Sequence, residues 1–203
     1  MIVLILWTIQ PQIVYNELIE KGIFKSKWRF SNCNYGIHGI DETFDRCYKW
    51  LIEKLKDKIG FPDEDLELPI WAYHTINNSR KRPDMRFHGI NVRKPYVLLE
   101  LDVPDNEVVL LDSDDWTCIL NDFPLVYCHN EYEYDVIHEW LDNLPQDEYN
   151  KFKIDSWDKV FDMTILENAD KDWISTHRDI EAVFWAIKKE YIKKVWKYKE
   201  HNV

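Results

Sequence analysis

Glycine is scarce in this chain, with five in 203 residues. Loops that cradle phosphate through their backbone need several glycines close together. Neither G-x-G-x-x-G nor the P-loop pattern occurs, and H-E-x-x-H, G-x-S-x-G and EF-hand patterns are missing too. The four cysteines (Cys33, Cys47, Cys118 and Cys128) form no C-x-x-C pair. That excludes a dense disulfide framework and fits reduced thiols in a cytoplasmic protein. Long apolar runs are lacking as well. The longest, Met1 to Trp7, is far short of the roughly 20 residues a membrane span needs. With no basic flank before it and no small-residue cleavage site after it, it reads as a buried first strand rather than a signal peptide. No membrane partner is expected. Basic residues are in deficit, 26 against 37 acidic for a net charge of -11, which argues against a dedicated DNA- or RNA-binding protein.

What the chain does have is apolar and aromatic mass, 45% and 15% of its residues. This is ample for one folded domain over residues 1–203 and excludes global disorder. Its charge is segregated. Residues 1–94 hold 15 basic and 12 acidic groups, residues 95–172 hold 4 and 21, and residues 173–203 hold 7 and 4. The middle block, net -17, repels polyanions, and residues 104–172 read as an acidic helical and loop insertion within the domain. The flanking parts can face an anionic ligand. Arg80-Lys81-Arg82, followed by Arg86, Arg93 and Lys94, is the densest positive stretch, a solvated loop on one reading and a phosphate-contacting arm on the other.

Periodicity predicts a strand over 2–8, a helix started by Pro11 and stopped by Gly22, and a helix capped by Asp41 with Phe44, Cys47, Leu51, Leu55 and Ile59 inward. Strands follow over 70–76, 96–103 and 107–111, and a short helix over 112–121. An acidic helix over 130–143 would turn Tyr134, Ile137, Trp140 and Leu141 inward. A short helix surrounds Trp157, and strands close the chain over 180–187 and 191–198. Without a βαβ repeat this is an α+β domain, with mixed or antiparallel sheets and peripheral helices.

Chemistry-bearing motifs are few. Cys118, Cys128, His129 and His138 lack the spacing of a zinc module, so no metal site is assigned. The opening strand is more distinctive: Leu6, Thr8 and Gln10 share one face, placing two polar side chains at the end of an apolar run. Such groups are either bonded structurally or aimed at a ligand.

Leu6 to Gln10, Pro69 to Tyr73, Lys81 to Arg86, Leu98 to Pro104, Asp112 to Asn121 and Ile180 to Trp185 together resemble an uncharacterised bacterial family, domain-of-unknown-function family three-eight-four-one, over nearly the whole chain. A second resemblance is to the ADP-ribosyltransferase fold. Thr8 stands where that fold commonly has histidine, Gln10 where it has a hydroxyl, and Val97 to Val103 is similar to its central strand. Asp179 to Phe184 is similar to the strand bearing its catalytic glutamate, with Glu181 at the matching place. This likeness implies an NAD-binding, toxin-like transferase of ADP-ribose to a macromolecular acceptor, protein rather than nucleic acid. Cleavage of the nicotinamide–ribose bond passes through an oxocarbenium-like centre, which needs a carboxylate, hydroxyl-holding groups, an aromatic wall and a cation on the pyrophosphate. The implied catalytic residues are Glu181 and Thr8. The implied cofactor-binding residues are Gln10, Trp71 or Tyr73 as the wall, and Arg86 as the clamp, its planar fork matching two phosphate oxygens. Two other functions compete with this one: a non-catalytic nucleotide- or protein-binding module of the same fold, and an acidic domain that docks a basic partner.

Overall fold

The computed structural model describes residues 2–26, 42–62, 68–85, 95–164, 169–170 and 177–198. The opening apolar run becomes β1 (Val3–Pro11), and Pro11 hands over directly to α1 (Gln12–Lys21). Gly22 ends that helix at φ 79°, its N–H returning to the Leu18 carbonyl. A side chain at this backbone position would cost roughly 1–2 kcal/mol, so the sequence stops the helix where glycine stands. Strand β2 (Ile23–Lys25) follows, then α2 (Glu42–Ile59), which buries Cys47, Leu51 and Leu55 at helical spacing.

The remaining strands are β3 (Ile70–Thr75), β4 (Tyr96–Pro104), β5 (Val109–Asp112), β6 (Ile180–Phe184), β7 (Ala186–Lys188) and β8 (Ile192–Tyr198). The helices between β5 and β6 are α3 (Ser113–Leu120), α4 (Glu131–Asp142) and α5 (Gln146–Ser156), the last running into a 3-10 turn over Trp157–Phe161. Six strands form one sheet in the order β5-β6-β3-β1-β4-β8, and β2 pairs with β7 beside it. Every pairing between these strands is antiparallel. The result is a single α+β domain, with helices against both faces of the main sheet.

Strand alternation sorts the core into two layers. Leu6, Ala72, Val97, Leu99, Leu101, Ala182 and Phe184 point to one face and pack with Val14 and Leu18 of α1. Trp71, Val109, Leu111 and Val183 point to the other and meet α2, α3 and Trp157. Buried on both sides, β4 reads as a nearly unbroken apolar run.

Two expectations need correction. On α4, Leu141 is buried, but Tyr134 and Trp140 are exposed by 43% and 49%, because the inward stripe of this helix is narrower than its aromatic content suggests. Residues 146–156 form a helix that hydrophobic periodicity did not predict. Its buried residues are Lys153 and Ser156, held by polar bonds rather than apolar packing. Lys153 Nζ donates to Asp122 Oδ2 at 2.7 Å, and Ser156 Oγ accepts the Leu125 N–H at 2.8 Å.

Candidate functional site: a transverse row on one sheet face

Register brings one residue from each strand of the main sheet into a single line. Leu111 on β5 faces Glu181 on β6, which faces Tyr73 on β3, which faces Trp7 on β1, then Glu100 on β4 and Lys194 on β8. Residues directly opposite one another in antiparallel strands project to the same face, so these six side chains form a row across the whole sheet. At about 4.8 Å per strand, the row runs ~19 Å from Glu181 to Lys194.

Its two carboxyl groups have different surroundings. Glu100 is buried within β4 and compensated: the Trp7 indole N–H donates to Oε2 at 3.3 Å, and Lys194 Nζ lies 3.6 Å from Oε1. Glu181 makes no hydrogen bond or ion pair among the described residues. Burial, with Asp179 close by, pushes its carboxyl up to about 7. Across the seam, burial and the Glu181 and Asp179 charges raise the Tyr73 phenol. A carboxyl that exchanges its proton near neutrality in a partly open position is characteristic of functional sites.

The positive loop after β3 lies over the aromatic part of this face. Arg80 sits 5.9 Å from the Trp7 ring and Arg82 4.7 Å from the Trp196 ring. Trp196 is opposite Leu98, two residues along from the Glu100–Lys194 pair, and so shares the face. Arg80 also has a structural task. β1 and β3 register only at Trp7 and Tyr73, and Arg80 fills the seam beyond them, donating to the His74 carbonyl at 2.6 Å and the Ile5 carbonyl at 2.8 Å. Burial and the Arg80 charge hold the His74 imidazole down to about 4, so it is neutral at pH 7. Arg82 and Lys194 are exposed cations on this face, Lys194 while paired with Glu100.

The residues singled out from the sequence are divided by the sheet. Glu181, Tyr73 and Trp71 occupy the face just described. Thr8 and Gln10, one strand position out of phase with Trp7, point to the opposite face. There Thr8 is buried, its hydroxyl donating to the Trp71 carbonyl at 2.8 Å and accepting from Gln10 Nε2 at 2.8 Å. Trp71 packs in the core, its ring 5.3 Å from Trp116 and 6.2 Å from Tyr48. Tyr73 is the aromatic side chain directly opposite Glu181. Arg86 lies outside the described residues. Trp7 and Glu100 were not singled out, although a glutamate inside the apolar run Val97 to Val103 was a readable signal, since a charge buried in a central strand needs a partner.

Among the described residues no group of three or more His, Cys, Asp or Glu side chains is arranged to hold a metal ion, and no helix is long and apolar enough to cross a membrane. A family model described as a domain of unknown function, DUF3841, matches residues 5–193. The chain belongs to this family. No curated protein and no solved structure matches it significantly. The family description states no activity.

Proposed function

We propose that this protein binds NAD or a related nucleotide across the Glu181–Lys194 face and does not transfer ADP-ribose through Thr8. The observation that carries the reading is the Glu181 carboxyl, half-buried beside Tyr73, unpaired among the described residues and titrating near neutrality. A ribose offers hydroxyl donors to such a carboxylate. The phenol ring of Tyr73 supplies an apolar wall, and Arg82 and Lys194 supply cations for phosphate further along the row.

Transfer chemistry would require groups holding the neighbouring ribose hydroxyls on the same side as the carboxylate. Thr8 and Gln10 are on the other side of the sheet and bonded to each other, which favours binding without turnover. Calorimetric titration with NAD tests this reading. Wild type is expected to bind saturably in the micromolar range, and Tyr73→Ala or Glu181→Ala to weaken binding about tenfold, or ~1.4 kcal/mol. No heat at millimolar NAD would remove it. Release of nicotinamide by wild type, lost in Glu181→Gln, would replace it with the transferase reading.

A further inference from the structure

A cavity of about 370 Å³ opens within the acidic part of the chain, between α3, the segment 123–126, α4 and α5. None of its lining residues belongs to the transverse row. The volume falls in the range that holds small organic ligands. Its charge has one sign: Asp115 and Asp142 line it, and no Lys or Arg does. Asp115 Oδ2 accepts the Tyr127 hydroxyl, while Oδ1 makes no hydrogen bond among the described residues. Asp142, in the exposed last turn of α4, likewise has no partner among them. Beside these two carboxylates the wall holds the His138 imidazole and the Cys118 thiol, and is otherwise apolar or aromatic, with buried Leu125 and Leu141 and the rings of Phe123 and Tyr149. A cysteine nucleophile is not the purpose of this cavity. Burial and the charges of Asp115, Asp114 and Asp112 raise the Cys118 thiol, the opposite of what thiolate reactivity requires.

We propose that this cavity is a binding site for a small organic cation, an amine with a compact apolar or aromatic body. The ammonium would sit between Asp115 and Asp142 and the body against Tyr149, Phe123 and Leu141. Carboxylates and aromatic faces attract the same cation by different means, the first by charge and the second by the ring quadrupole. The surrounding block, net -17 over residues 95–172, concentrates cations at its mouth and excludes anions.

Three isosteric probes separate charge from shape: 2-phenylethylamine, the neutral 2-phenylethanol and the anionic phenylacetate, each titrated into the full chain by calorimetry. The amine is expected to bind at least about tenfold more tightly than the alcohol, and phenylacetate more weakly than either. Asp142→Asn, an exposed substitution that leaves the fold intact, is expected to lower amine affinity about fivefold and leave the alcohol unaffected. Asp115→Asn keeps an acceptor for Tyr127 and should act in the same direction. Equal affinity for amine and alcohol, amine binding that ignores both substitutions, or no amine binding up to about 10 mM would each overturn the proposal.

Discussion

Glu181 and Thr8 lie two strands apart in the sheet and on its opposite faces, and they make opposite predictions. Glu181 releases its proton at about 7, above its ordinary value of 4.5. Between these values the folded state holds a proton that the unfolded chain has lost, so this group lowers stability as pH rises through the window, and its effect levels off above about 7. Glu181→Gln, neutral at every pH, should therefore be more stable than wild type by about 1–3 kcal/mol near pH 8 and little different near pH 4.5. Urea unfolding at the two pH values checks this, and parallel pH profiles for the two proteins would refute it. Thr8 is a buried hydroxyl with both hydrogen-bond roles filled. Thr8→Val keeps its shape and should cost about 1–2 kcal/mol of stability while leaving the Glu181 face undisturbed. The sequence told that Thr8 and Gln10 share a face, and they do. It could not tell which face Glu181 takes, because the relative phase of two strands far apart in the chain is set by their register against β3.

At the scale of elements, the helices that announced themselves did so through apolar stripes or caps. Cys47, Leu51 and Leu55 mark α2, and Asp112 marks the start of α3. Asp112 has two tasks: Oδ1 accepts the N–H groups of Asp114 and Asp115, and Oδ2 accepts Arg178 Nε at 2.6 Å. The helix start is thereby tied to the residues leading into β6, next to Glu181. Asp112→Ala should cost about 2–3 kcal/mol, whereas Asp112→Asn, still able to cap, should cost about half as much. Denaturant midpoints measure both, and equal losses would show that the ion pair to Arg178, not the cap, is the dominant contact. Helix α5 was illegible for the complementary reason. Lys153 and Ser156 face inward on it, and a pattern of apolar residues does not register an ammonium that reaches Asp122 or a hydroxyl that satisfies a loop N–H. The exposed aromatics of α4 misled in the other direction, since Trp140 pairs with Phe152 of α5 while remaining half-exposed.

For the molecule as a whole, the sheet acts as a partition. One face is closed by α1 and the small β2–β7 sheet. The other is covered by α2 and α3 over β5, β6 and β3, and carries Trp7, Glu100, Trp196 and Lys194 over β1, β4 and β8, with the arginine loop on top. The charge segregation evident in the sequence does not follow this partition, since acidic α3 and the arginine loop share one face. The arginine loop and Lys194 lie on the Glu181 face, whereas Lys197 points to the other, 5.2 Å from the Tyr15 ring of α1; the acidic block supplies α3, α4, α5 and the cavity between them. The α+β class and most strands were legible because apolar runs and turn residues are local signals. The transverse row was not, because it is assembled from five separate strand pairings, none of them local in sequence. The central proposal is that the row forms a nucleotide face with Thr8 behind it. The most direct test is NAD affinity measured side by side for wild type, Glu181→Ala and Thr8→Val. The account predicts about tenfold weaker binding for Glu181→Ala and unchanged affinity for Thr8→Val despite its lower stability. Equal losses in both variants, or no binding in wild type, would contradict it.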